Sequence, residues 1–347
     1  MPKRRVANVM AAALGAIGSV TSGCVTMPAD RSYGGPVPKP DELVQEFSYE
    51  RQANAYHMRT VDEKSHYTIK RVTFDSQVNV LEPHRIKIDY YDLPNEDPVP
   101  VIVVLPILGG GNTFAKIFAD HFARRGYAAV IVHRQQQYKR VDELAKLNGT
   151  FKQIVLDHMQ ALDWIELQSD LDQNRIGIFG ISAGGIKATL IHCLEDRINA
   201  AVTALAGGDI PYIFSYSAEK GIAKKRKKIL DEHSVTQDEL YKILSDEFQH
   251  DPLKYAKYGD ARNTLLILGA FDQAVPYKKG LELRAALGDP KTIVMPTGHY
   301  TSLLFIPFVQ EMATSFFKKT FVASATRTAE ASRVLSRRRG FGTAVTK

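Results

Sequence analysis

A serine, an aspartate and a histidine, each in a short turn-forming stretch, are the residues of this 347-residue chain best placed for covalent chemistry. Ser182 stands in Gly180-Ile181-Ser182-Ala183-Gly184, between an apolar run of strand type and a stretch with helical spacing. Glycines two before and two after the serine remove the side chains that would collide where a strand folds straight back into a helix. The hydroxyl is thereby left at the apex of the turn. Such a pentapeptide arises by chance in roughly one chain in ten of this length, so its setting has to carry the argument. A serine hydroxyl is a poor nucleophile near neutral pH; it needs a base within hydrogen-bond reach and a third group to hold that base. His299, in Thr297-Gly298-His299-Tyr300, falls in the loop between the last strand and the last helix. Asp272, in Gly269-Ala270-Phe271-Asp272-Gln273-Ala274-Val275-Pro276, directly follows the strand before it. Asp209, after an earlier strand, is the competing acid.

Strand and helix periodicities alternate along the chain in the way needed to bring these three to one edge. Tyr67–Phe74 and Arg85–Tyr91 alternate apolar and polar residues as half-exposed strands do, whereas Val101–Leu105 is a continuous aliphatic run that requires cover on both faces. Strand patterns at 128–132, 175–179, 200–205, 264–268 and 291–295 are then separated by helical ones at 113–125, 151–167, 183–194, 278–287 and 302–317. This order predicts a mostly parallel eight-stranded sheet with helices on both faces and its first strands as an antiparallel edge. The serine, aspartate and histidine all follow strands, at the edge where open α/β sheets bind ligands. An insertion at 209–262, containing the capping-box pattern Thr236-Gln237-Asp238-Glu239, is expected to lie over that edge as a helical cap. Its aromatic start, Tyr212, Phe214 and Tyr216, fits either a substrate pocket or cap core. Lys224–Lys228 fits an anion-facing patch or a solvated helix face, and His133, after the strand at 128–132, a substrate contact or a structural role.

Composition bounds the partners. The net charge of +7 is concentrated at the ends, +3 over residues 1–23 and +7 over 318–347, which leaves the body at −3. No basic face or reader motif accompanies it, and nucleic acid is not an expected partner. Two cysteines, Cys24 and Cys193, exclude a disulfide framework and a cysteine-based zinc site; Cys193 reads as a small buried apolar residue. Lys3-Arg4-Arg5, the apolar run Val6–Val20 and Thr21-Ser22-Gly23 before Cys24 have the layout of an export signal over residues 1–23. The position of Cys24 resembles a bacterial lipoprotein signal, with Thr21 where leucine is usual. The resemblance implies a lipid on Cys24 and a place on a membrane of the cell envelope; plain secretion and an uncleaved anchor are the alternatives. Residues 24–60 are expected to be a tether and N-terminal segment, 61–320 the main domain, and 321–347 a disordered basic tail.

Over roughly residues 66–318 the chain resembles the α/β-hydrolase superfamily, on the stretches GISAGG, GAFDQAVP and PTGHYTSLL, with ALDWIELQSDLDQNRIGIFG leading into the serine. Within the superfamily it looks most like the dienelactone-hydrolase and acyl-hydrolase branches. The resemblance implies an α/β-hydrolase fold and a serine hydrolase acting on an ester-like acyl substrate, with no metal or organic cofactor. A peptidase or thioesterase on the same triad, and a lipid-anchored binding protein without turnover, are the other readings. The oxyanion hole would take one N–H from Ala183 and another from Gly109 or Gly110, in Pro106-Ile107-Leu108-Gly109-Gly110-Gly111-Asn112, where related esterases often carry His-Gly-Gly-Gly.

Overall fold

A computed structural model describes residues 23–52, 55–108, 111–135 and 146–340, with side chains through Ala323. The elements in order are β1 (Val25–Met27), α1 (Asp41–Glu46), β2 (His57–Glu63), β3 (Thr68–Asp75), β4 (Arg85–Asp92), β5 (Val99–Leu105), α2 (Thr113–Ala123), β6 (Ala128–Val132), α3 (Leu147–Glu166) and β7 (Leu171–Ile181). They continue with α4 (Ala183–Leu194), β8 (Ala200–Ala204), α5 (Ile210–Tyr216), α6 (Lys220–His233), α7 (Gln237–Glu247), α8 (Pro252–Tyr255), β9 (Thr264–Gly269), α9 (Tyr277–Ala286), β10 (Lys291–Met295) and α10 (Ile306–Gly340).

The strands among the described residues belong to one sheet, in the order β1-β10-β9-β8-β7-β5-β6-β4-β3-β2. The run from β6 through β5, β7, β8 and β9 to β10 is parallel, and β5 to β10 are aliphatic because helices cover both faces. Val101, Ile102, Ala128–Ile131, Ile176, Ile178 and Ala200–Val202 are essentially inaccessible. Phe118 of α2 stacks on Phe179 of β7 with ring centroids 4.4 Å apart, and Phe317 of α10 packs edge-on against Phe122 of α2. These contacts hold the front of β7, and with it the turn at Ser182, against a rigid layer.

The eight strands expected from periodicity are all present, and two more extend the sheet at its edges. β1 and β2 are exposed strands that pair antiparallel with β10 and β3. Expecting residues 24–60 to be a tether was therefore incorrect. Its composition lacks the apolar surface to pack by itself, but backbone hydrogen bonds to a preformed sheet edge need none. Beyond β1 the segment is laid along the domain by the Tyr33 hydroxyl donating to the Gly259 carbonyl at 2.9 Å, by Arg284 donating to the Pro28 carbonyl at 2.9 Å, and by the Lys39–Asp196 ion pair. The C-terminal expectation also needs correction: α10 runs on to Gly340, with Phe317 and Phe321 buried. Residues 321–339 contain no proline or glycine, so nothing in them stops a helix already nucleated by packing. The expected signal, apart from Gly23, lies outside the described residues.

Candidate active site

The turn at Ser182 is built by close backbone approach. Ser182 has φ 56° and ψ −128°, and its N–H donates to the carbonyl of Ala204 on neighbouring β8 at 2.8 Å. A Cβ on Gly180 would stand 2.3 Å from the carbonyl oxygen of Gly184, and one on Gly184 would stand 2.6 Å from that of Leu105. Neither position tolerates a side chain, which is the physical content of the two-residue glycine spacing. Helix α4 starts immediately after the serine, so the Ala183 N–H belongs to the first turn, whose donors have no intrahelical acceptor. Ser182 and Ala183 are both half-exposed.

Asp272 and His299 meet, as the sequence predicted they should. Two backbone bonds lace their loops together: the Ala270 N–H to the Met295 carbonyl at 2.9 Å and the Phe271 N–H to the Thr297 carbonyl at 3.0 Å. His299 Nδ1 lies 2.7 Å from Asp272 Oδ2, while Asp272 Oδ1 accepts the N–H groups of Ala274 and Val275, each at 2.9 Å. With one carboxylate oxygen occupied by two amides and the carboxylate buried, the other has the His299 ring as its partner. An ionised carboxylate can only accept, so this bond calls for a proton on Nδ1, and in a neutral ring Nε2 is then the acceptor. Ser182, Asp272 and His299 follow β7, β9 and β10, all parallel, so all three lie at the same edge of the sheet.

Asp209 is committed elsewhere. It caps α5 by accepting the Tyr212 N–H at 3.0 Å, and its Oδ2 takes Lys279 Nζ at 2.8 Å and the Tyr241 hydroxyl at 3.2 Å. His133 Nε2 lies 2.9 Å from Asp89 Oδ2, and the other oxygen of Asp89 accepts from Arg71; His133 also borders the small pocket beside Pro106 and Lys187.

Gly109 and Gly110 lie outside the described residues, but the stretch leading into them is held at two carbonyls. Lys187 Nζ donates to the Pro106 carbonyl at 2.8 Å, and Arg134 donates to the Leu108 carbonyl. Lys187 sits on α4 five residues after the serine and is buried; removal from water pushes its pKa down to about 7. It borders a small pocket behind the loop with His158, Arg134 and Asp157. Burial pushes His158 down to about 4. Sequence reading missed Lys187 and Arg134. The available signal was a lone lysine in an otherwise small and apolar helix following the nucleophile.

The insertion at 209–262 forms α5 to α8, and the Thr236–Glu239 capping box is present in both directions. Asp251 closes the insertion at its base, accepting the N–H groups of Asp209 at 3.0 Å and Leu253 at 2.9 Å, and that of Ile210. Tyr212, Tyr216 and Tyr241 form one half-exposed ring cluster, with Lys278 Nζ 4.1 Å from the Tyr212 centroid, while Phe214 packs against the core. Within the lysine run, Lys224, Lys227 and Lys228 are exposed, and Arg226 turns inward to the carbonyls of Phe214 and Ser217. Cys193 is fully buried, as expected, and Cys24 is half-buried at the start of β1, which raises the pKa of its thiol.

The fold and the family match together make the chain a serine hydrolase of the α/β-hydrolase type. The chain belongs to the prolyl oligopeptidase family, whose sequence profile matches residues 115–295, just over half of it. Among curated proteins, YtaP of Bacillus subtilis (strain 168), whose name calls it a hydrolase, is 30% identical over 94 residues; the match covers 24% of this chain and 31% of YtaP, so it spans about a third of that relative. The fold is shared with an acetyl xylan esterase from Paenibacillus sp. R4 (TM-score 0.60, 18% identity, 81% of this chain and 99% of that one). It is also shared with acetyl xylan esterase 1 from Thermoanaerobacterium sp. JW/SL YS485 (TM-score 0.58, 17% identity, 81% and 96%). An acylaminoacyl peptidase from Pyrococcus horikoshii aligns with a TM-score of 0.52 at 19% identity, over 74% of this chain and 42% of its own.

Proposed function

We propose that the protein hydrolyses carboxylic esters through an acyl-enzyme, with Ser182 as nucleophile, His299 as general base and Asp272 as the group that orients and stabilises the imidazolium. The observation that carries this reading is the 2.7 Å contact between His299 Nδ1 and an Asp272 carboxylate whose second oxygen is already held by two amides. As Ser182 Oγ attacks the carbonyl carbon, His299 Nε2 takes its proton and then delivers it to the leaving oxygen. Negative charge on the tetrahedral oxygen is met by the Ala183 N–H and an amide of Gly109 or Gly110. A water then gives a proton to His299 and attacks the acyl carbon, and His299 returns that proton to Ser182 Oγ as the acid is released.

An ester is favoured because an alkoxide leaves with less help than an amine, and because the two neighbours matched along nearly their whole length are named as esterases. The family name and the peptidase neighbour favour the second reading, cleavage of an amide bond. Matched ester, amide and thioester substrates with a common acyl group decide between them. A kcat/KM ranking with the ester highest supports the proposal, and a ranking with the amide highest replaces it.

A further inference from the structure

The chain comes to the sheet at the edge that carries the catalytic loops. β1 runs antiparallel to β10, with Val25 opposite Val294 and Met27 opposite Thr292, so tracing back from Val25 leads toward the carboxyl end of β10. Gly23 lies there: a Cβ built on it would be 3.1 Å from the ring of Pro296, three residues before His299. The residues ahead of it are the basic Lys3-Arg4-Arg5 and the apolar Val6–Val20. An anchor, either that apolar segment retained or a lipid on Cys24, would leave from beside the His299 loop; plain secretion would leave no attachment there.

The same edge presents apolar side chains to solvent. Phe271 is 69% exposed, Tyr300 57%, Leu303 47% and Leu304 74%. Single exposed apolar residues are ordinary, but four on two loops laced together by the Phe271–Thr297 backbone bond make a patch. A basic element begins beside it. The Tyr300 hydroxyl lies 3.4 Å from the carboxylate of Glu219, which caps α6, and α6 carries Lys220, Lys224, Lys225, Lys227 and Lys228 against Asp231 and Glu232, with Arg226 turned inward. A second copy of this chain would bring an equally basic helix to the face and be repelled, whereas anionic headgroups would be attracted.

We propose that the catalytic edge of the domain rests on an anionic lipid bilayer, with Phe271, Tyr300, Leu303 and Leu304 at the level of the headgroups. An anchor at one end holds the domain near a bilayer without orienting it, and a second apolar or basic contact does orient it. The patch supplies that contact and turns the mouth of the site toward the membrane. The proposal goes beyond the hydrolase reading and does not depend on which bond is cut.

Amide hydrogen exchange on the full-length chain tests it, before and after addition of phosphatidylcholine–phosphatidylglycerol vesicles. Exchange across 270–273 and 298–305 slows about tenfold with vesicles, while 165–171, at the opposite edge around exposed Leu167, is unchanged. Most of the slowing disappears in the F271D/L304D double variant and in L304D alone; L304D changes a 74% exposed side chain and leaves the melting temperature intact. Pure phosphatidylcholine gives a smaller effect. The proposal is overturned by no slowing in either loop, by equal slowing at 165–171, by undiminished slowing in the variants, or by equal slowing on pure phosphatidylcholine. Slowing that grows with protein concentration without vesicles assigns the face to a second copy instead. Turnover is not the readout, so an active enzyme without slowing refutes only the membrane proposal, and slowing in an inactive enzyme refutes only the hydrolase reading.

Discussion

Lys187 Nζ donates to the carbonyl oxygen of Pro106 at 2.8 Å, tying the helix behind the candidate nucleophile to the loop that carries Gly109 and Gly110. The two sides of the proposed oxyanion hole are thus linked through one buried side chain. Replacing Lys187 by methionine keeps the bulk and removes the donor. The loop then loses one of its two holds, and kcat on a small ester falls about 10- to 100-fold, the usual consequence of an ångström-scale misplacement.

The same lysine sets a pH dependence of stability. Its folded pKa of about 7 lies below the ordinary 10.5, so between those values the unfolded chain holds a proton that the folded chain has released. Stability attributable to this group therefore rises with pH, by up to about 1.4 kcal/mol per unit across that window. Melting curves at several pH values above neutrality should show wild type gaining on Lys187→Met as pH increases. Parallel curves would mean that Lys187 titrates normally.

Asp272→Asn retains size and a carbonyl acceptor but allows the amide to face His299 with the wrong group. The imidazole then loses the partner that fixes its tautomer, and kcat falls about 10³- to 10⁴-fold with little change in folding. Steady-state kinetics on an activated ester measure this. Asp209→Asn should leave the rate within a few-fold of wild type, because Asp209 serves the cap; a larger loss there than at Asp272 would reverse the assignment of the acid.

Gly180→Ala places a methyl group 2.3 Å from the Gly184 carbonyl oxygen, where only backbone can yield. Destabilisation of about 3 kcal/mol or more is expected, against a change within about 0.5 kcal/mol for Gly34→Ala, a site with nothing within 4 Å. Denaturant melts of the two variants give the comparison directly.

Asp251→Ala strands three backbone donors at the base of the cap. A loss of about 2–4 kcal/mol follows, and proteolytic cuts should concentrate within 209–262. Cuts distributed evenly over the chain would show that Asp251 supports the whole domain rather than the cap.

The proposed anchor is tested in cells by labelling with a palmitate analogue. Wild type should incorporate the label and Cys24→Ser should not; equal labelling of both would place the lipid elsewhere.

Legibility in the sequence followed the kind of interaction involved. The serine turn could be read because its glycines answer to sterics between neighbouring residues. The Asp272 and His299 loops could be placed because alternating periods put each directly after a buried strand. What escaped reading depends on partners distant in sequence. β1 and β2 are stabilised by sheet edges that exist only after folding, and α10 extends through residues that merely lack a reason to stop. Burial of Lys187 comes from residues on α3 and the β5 loop, and nothing local in the sequence announces it. Periodicity reports a residue's own environment along an element, whereas a side chain's role in holding another loop is a tertiary fact.

The central claim is that Ser182 is a nucleophile activated by His299. A fluorophosphonate probe, which reacts covalently with activated serines, tests it on the purified protein. Stoichiometric labelling of wild type that is abolished in Ser182→Ala and strongly slowed in His299→Ala is the predicted result. An unlabelled wild type, or labelling of Ser182→Ala at the wild-type rate, would contradict it.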